Sequence, residues 1–67
     1  MVTDEIGHMA GKVWRTLSSE GEMSVAALKK AIGAKDVIAD WAIGWLAREG
    51  KVAFRREKNV LRIRLSH

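Results

Sequence analysis

The fold is decided by residues 42–65, which read AIGWLAREGKVAFRREKNVLRIRL. Up to Arg48 the apolar residues recur at the spacing of an α-helix, and after Gly50 they alternate with polar residues as in a β-strand. The short polar segment 57–59 separates two such alternating runs, which is typical of a hairpin. The stretch therefore predicts a helix that runs directly into a basic β-hairpin, with no linker between them.

The preceding residues predict two further helices. The three predicted helices cover residues 4–18, 25–32 and 37–49, and their candidate N-caps are Thr3, Ser24 and Asp36. Gly33 and Gly50 are suitable helix ends, because glycine adopts the left-handed conformation that closes a helix. The second and third helices are short and joined by a tight turn that contains Gly33, which matches a helix-turn-helix unit.

A small antiparallel sheet is predicted from an extended piece near Met23 and strands at residues 51–56 and 60–65. One face of the hairpin carries the apolar side chains, which we expect to pack on the helices: Val52, Phe54, Leu61, Ile63 and Leu65. Arg62 and Arg64 point to the other face. Residues 1–67 are thus predicted to form one α+β domain, a winged helix-turn-helix with a three-helix core.

The positive charge is concentrated in the hairpin. Residues 48–67 contain seven basic and two acidic residues, whereas residues 1–47 contain five basic and six acidic ones, so the net charges are +5 and −1. Such asymmetry favours an anionic partner, most often nucleic acid. The alternative is that the charges only keep an edge hairpin soluble and prevent aggregation.

Several classes of protein are disfavoured by the sequence. There is no cysteine, no apolar run near the roughly 20 residues of a membrane span, and no signal-peptide pattern, so we expect a cytoplasmic protein. His8 and His67 are far apart in sequence, and neither a Gly-rich phosphate loop nor a recognisable pair of catalytic carboxylates is present. The sequence predicts no enzyme activity, no cofactor, no metal and no small-molecule substrate.

Four segments carry a family resemblance: AGKVW at 10–14, SV at 24–25, LKKA at 28–31 and AIGWLAREGKVAF at 42–54. With these segments the whole chain resembles small single-domain prokaryotic winged helix-turn-helix proteins of unassigned function. The resemblance implies the fold, and it implies either DNA binding or a protein–protein module. A transcription- or nucleoid-associated accessory role is the expectation that follows.

The predicted nucleic-acid site consists of cations that contact the phosphate backbone: Arg55, Arg56, Lys58, Arg62, Arg64, Lys29, Lys30 and Lys35. Little sequence specificity is expected, because the predicted exposed side of the third helix offers no side chain suited to reading bases. That side would carry two carboxylates, Asp36 and Asp40, which repel phosphates.

The alternative prediction is a partner-binding or homodimer surface on the third helix, formed by Ala39, Ile43 and Ala47. These residues recur every four positions, and a helix that is apolar nearly all round is usually covered on both sides. The competing interpretation is that the second helix and its turn hide Ile43. The tryptophans Trp14, Trp41 and Trp45 are predicted to pack in the core, with Trp45 under the hairpin.

Overall fold

The computed structural model describes residues 2–33 and 37–66 of the chain. Its elements in chain order are α1 (Val2–Glu20), β1 (Met23–Ser24), α2 (Val25–Ala31), α3 (Ile38–Arg48), β2 (Val52–Glu57) and β3 (Val60–Leu65). The strands form one antiparallel sheet in the order β1-β3-β2. This arrangement confirms the predicted α+β winged helix-turn-helix fold.

The helix ends follow local chemistry that was largely predictable. The hydroxyl of Ser24 accepts a hydrogen bond of 3.0 Å from the backbone N–H of Ala27 and caps α2 as predicted. Thr3 was wrong as a cap, because α1 begins one residue earlier, at Val2. The predicted cap Asp36 lies outside the described residues.

The end of α3 turns the chain into the hairpin. Gly50 has a φ of +72°, and its N–H donates to the carbonyl of Ala47 while the N–H of Lys51 donates to that of Leu46. This pair of bonds is the Schellman arrangement, for which glycine is the favoured residue. The N–H and hydroxyl of Ser66 donate to the carbonyls of Lys51 and Gly50, which ties the end of β3 to the start of β2.

The core lies where the three helices meet the base of the hairpin. Its largest fully buried side chains are Val13 of α1, Leu28 of α2 and Ile63 of β3. Helix α3 packs mainly against α1 and contributes a buried stripe of two small and two large residues: Ala39, Ala42, Ile43 and Leu46. Small side chains on this stripe allow the two helices to approach closely.

The prediction that the tryptophans form the core was wrong. Trp14, Trp41 and Trp45 are 50%, 51% and 47% exposed. Because α3 is apolar on both sides, helical spacing could not decide which side faces α1. The alanine-rich side fits against α1, so Trp41 and Trp45 remain on the outside.

The hairpin has the predicted pair of faces, but only its base is covered. Phe54 lies opposite the buried Ile63, yet Phe54 and Leu61 are 43% and 36% exposed. Burial declines along β2 from Val52 to the exposed Phe54 as the strand extends beyond the helices. The outer part of the hairpin is therefore a projecting wing.

Candidate nucleic-acid interface

The strand register places three arginines on the face of the sheet that points away from the core. Arg55 of β2 lies directly opposite Arg62 of β3, and Arg64 lies two residues further along the same strand. Like charges directly across a pair of strands are destabilising unless a counter-charge lies between them. The sheet therefore needs an acidic group near these side chains.

Glu22 supplies that group from the residue just before β1. Its Oε2 accepts hydrogen bonds from Nη2 of Arg55 and, at 2.8 Å, from Nε of Arg62. Nε of Arg64 lies 4.0 Å from Oε1, and Arg55 is also 3.4 Å from a carboxylate oxygen of Glu57. We call Glu22 with Arg55, Arg62 and Arg64 the arginine cluster.

The arginine cluster keeps Glu22 ionised far into the acid range. The hydrogen bonds from Arg55 and Arg62 lower the pKa of Glu22 from 4.5 to about 2. The hydrogen bond to Glu22 in turn raises the pKa of Arg55 above its usual value. At neutral pH the three arginines, Glu22 and Glu57 together carry a net charge of +1.

The wing tip carries two further predicted cations, which differ from the arginine cluster in their lack of an acidic partner among the described residues. Arg56 and Lys58 are exposed, and neither makes a salt bridge or side-chain hydrogen bond with another residue of the described chain. Lys58 occupies the two-residue turn between β2 and β3 with a φ of +57°, a conformation that favours glycine or asparagine. We call Arg56 and Lys58 the tip cations.

The lysines of α2 are separate from the wing. Nζ of Lys29 lies 2.8 Å from a carboxylate oxygen of Asp40, and both side chains are partly exposed. Lys30 is exposed and has no such partner among the residues that the structure describes. Lys35 lies outside the described residues. The seven predicted cations that the structure describes thus divide into a partly compensated cluster, a free tip and a separate pair on α2.

The residues predicted to form a partner-binding surface are buried or partly buried. Ala39 is fully buried, Ile43 is 6% exposed, and Ala47 is partly buried against the core. The prediction of an exposed ridge was wrong for the same reason as that of the tryptophans: α3 is rotated about its axis relative to the predicted orientation, although Asp40 is exposed as predicted. The exposed side of α3 instead presents Asp40, Trp41, Gly44, Trp45 and Arg48, and the preceding residue Val37 is exposed as well.

Beside this exposed side lies a shallow groove between α1 and α3. It has a volume of about 290 Å³ and is lined by Ile6, Gly7, Trp41 and Trp45. Sequence reasoning missed this groove and the role of Glu22. The only signal for Glu22 is its position just before a short strand, where alternation puts it on the same face as the arginines.

Residues 2–33 and 37–66 contain neither a candidate membrane-spanning helix nor a candidate metal-binding cluster. No helix there is both long enough and apolar enough to cross a membrane. No three or more His, Asp or Glu side chains there are grouped so that they could hold a metal ion.

Comparison with known proteins gives a family and a related structure. The model of the winged helix-turn-helix domain family DUF2582 matches residues 1–65. The solution NMR structure of protein BT2368 from Bacteroides thetaiotaomicron is 32% identical and superimposes with a TM-score of 0.83, over 97% of this chain and 79% of that one. No curated protein matches the chain. Both matches cover helices and hairpin together.

Proposed function

Because the chain belongs to the DUF2582 family of winged helix-turn-helix domains, we propose that it is a non-enzymatic domain that binds the nucleic-acid backbone through its wing. The observation that carries the proposal is the pair of tip cations, Arg56 and Lys58, exposed at the far end of the hairpin without an acidic partner in the described chain. Cations in this state can each neutralise a phosphate and release a counterion.

The backbone of Lys58 supports a role for the tip. A non-glycine residue with left-handed backbone costs roughly 1–2 kcal/mol relative to a residue in the right-handed region. Unfavourable backbone at an exposed turn is a feature that functional sites often contain. A glycine at this position would relieve the strain but would remove one of the two tip cations.

The arginine cluster supports the same function in a weaker way. Its side chains are held in place by Glu22, and Arg55 and Arg64 remain about half exposed. The cluster carries a small net positive charge on the same hairpin as the tip cations. It therefore extends a positive surface along the wing, although most of its charge is already compensated.

Helix α3 does not provide specific readout in this proposal. Of its exposed residues only Asp40 and Arg48 are charged. Asp40 is paired with Lys29, and Arg48 lies in the last turn, whereas the N-terminal part of a recognition helix contacts the base edges. The remaining exposed residues are apolar or glycine, whereas base edges are read mainly by hydrogen-bonding side chains. Binding should be of low sequence specificity, with a dissociation constant of roughly 10⁻⁴–10⁻⁶ M at physiological salt. An accessory role at DNA, for example in transcription, fits such affinity.

A charge-reversal experiment tests the proposal. The double variant Arg56→Glu with Lys58→Glu removes the tip cations, and the double variant Arg15→Glu with Lys51→Glu is its matched control. All four positions are exposed, and both variants change the net charge equally. Fluorescence anisotropy with a labelled mixed-sequence duplex gives the affinity of each variant.

We expect the tip variant to lose measurable binding while the control retains most of it. If each tip cation contacts one phosphate, an increase in salt from about 50 to 200 mM should weaken the binding of the wild type roughly tenfold. Equal affinities of the tip and control variants would refute a wing interface. Circular dichroism of both variants establishes that each remains folded.

A further inference from the structure

The exposed side of α3 is unusually apolar for a surface. Trp41 and Trp45 are about half exposed, and Val37 on the same side is 52% exposed. Exposed apolar patches on small proteins commonly mark interaction sites, and tryptophan is among the residues that contribute most to binding at interfaces. This side of α3 is not part of the proposed nucleic-acid interface, so its chemistry needs a separate explanation.

Gly44 lies in the middle of this apolar side, and nothing in the described domain requires a glycine there. A Cβ atom built at Gly44 would have no neighbour within 4 Å. Glycine in the middle of a helix is less favourable than alanine by roughly 0.5–1 kcal/mol. Because glycine has no side chain, the helix surface has a gap beside Trp41 and Trp45 at which another helix could approach closely.

The charges on either side of Gly44 are complementary to those of a second copy of α3 in the antiparallel direction. Asp40 precedes Gly44 by four residues and Arg48 follows it by four residues, and both side chains are on the exposed side of α3. Along the helix they are about 12 Å apart, which is too far for them to pair within one chain. In an antiparallel pair of α3 helices that cross at Gly44, Asp40 of each copy comes within reach of Arg48 of the other.

We propose that this side of α3 binds a second copy of the chain through a two-fold interface centred on Gly44. A two-fold axis makes each contact occur twice, so the two Asp40–Arg48 pairs flank a centre formed by Gly44 and the tryptophans. The carboxylate of Asp40 already accepts from Lys29 of its own chain at 2.8 Å. It retains acceptor capacity, because an ionised carboxylate has about four lone-pair sites.

The exposed area indicates a reversible dimer. Half of a tryptophan side chain of about 250 Å² is about 125 Å², so four such rings bury about 500 Å² before their neighbours are counted. Stable interfaces bury about 1,600 Å² in total, and interfaces below about 1,200 Å² are typically weak. The dimer should therefore form over a micromolar to millimolar range of protein concentration.

Sedimentation equilibrium on the full chain tests the proposal. With increasing concentration the average mass of wild type should rise from 7.5 kDa toward twice that value. The variant Gly44→Gln should remain at 7.5 kDa while its melting temperature is unchanged or higher, because the site is open in the monomer and glutamine is the better helix former. A wild-type mass that stays at the monomer value up to about 1 mM would overturn the proposal.

A charge swap distinguishes a second copy from any other partner. The single variants Asp40→Arg and Arg48→Asp should each weaken self-association, since each places like charges together across the interface. The combined variant should restore it, because the pair is only exchanged between the copies. Loss of the Lys29 contact is common to Asp40→Arg and the combined variant, so it cannot produce the recovery. Failure of the combined variant to recover would refute the antiparallel arrangement.

Discussion

Replacing Glu22 by glutamine should tighten nucleic-acid binding and at the same time lower the stability of the fold. Glu22 neutralises one positive charge of the arginine cluster through its hydrogen bonds to Arg55 and Arg62. Without that carboxylate the net charge of the cluster with Glu57 rises from +1 to +2. One additional cation is then available for a phosphate.

The size of the effect follows from counterion release. Each phosphate contact changes the slope of log K against log salt by about −0.9, so one additional contact at about 0.1 M salt raises the affinity up to about eightfold. Stability should change in the opposite direction, because Arg55 and Arg62 then lie opposite each other without a counter-charge. A less stable variant that binds more tightly cannot be explained by partial unfolding.

Anisotropy titrations of the Glu22→Gln variant at several salt concentrations, with thermal melts in parallel, measure both effects. Glu49→Gln is a matched control, since Glu49 is exposed and loses the same charge outside the arginine cluster. If Glu22→Gln binds no more tightly than Glu49→Gln, or has the same salt slope as wild type, the arginine cluster does not contact nucleic acid.

Three further predictions concern stability. Because the pKa of Glu22 is about 2 in the folded chain against 4.5 ordinarily, its contribution should be complete above about pH 4.5 and lost as the pH falls through 2. The difference in melting temperature between wild type and Glu22→Gln should shrink over that window; a constant difference would contradict it. Ile63→Ala, at a fully buried position, should reduce the free energy of unfolding in urea by about 2–5 kcal/mol, and a loss below about 1 kcal/mol would contradict the core described. Ser24→Ala removes the cap of α2 and should cost about 1 kcal/mol in the same assay, whereas Ser24→Asp should retain most of the stability.

The elements of the fold were predictable because their signals are local. A cap hydroxyl at Ser24, a helix-ending glycine at Gly50 and alternating residues in the hairpin each act within a few positions of the chain. Helix ends shifted by one or two residues, as fraying and capping usually allow. The three-stranded sheet followed from the same alternation.

The orientation of α3 was not predictable, because both of its sides are apolar. Hydrophobicity places Trp41 and Trp45 in the core, whereas close packing against α1 selects the side with Ala39 and Ala42. That choice depends on the distance between two helices, which no periodicity encodes. As a result Ala39 and Ile43 are buried while Trp41 and Trp45 are exposed, which changes the residues that are available to a partner.

The sequence also could not predict which of the basic residues have an acidic partner. A count of basic residues treats Arg62 and Arg56 alike, but only Arg62 lies next to Glu22. Their difference depends on the register between β1 and β3, which brings a residue 40 positions away into contact. The sequence therefore identified the basic wing, and the register divides it into compensated and free charges.

The most direct test of the wing interface is an amide-resolved NMR titration of the full chain with a short mixed-sequence DNA duplex at about 50 and 200 mM salt, the range over which phosphate contacts weaken. The proposal predicts the largest shifts at the tip cations and their neighbours in β2 and β3, with most of the effect lost at the higher salt. Shifts that persist at the higher salt and lie on the exposed side of α3, or no shifts at either salt, would contradict it.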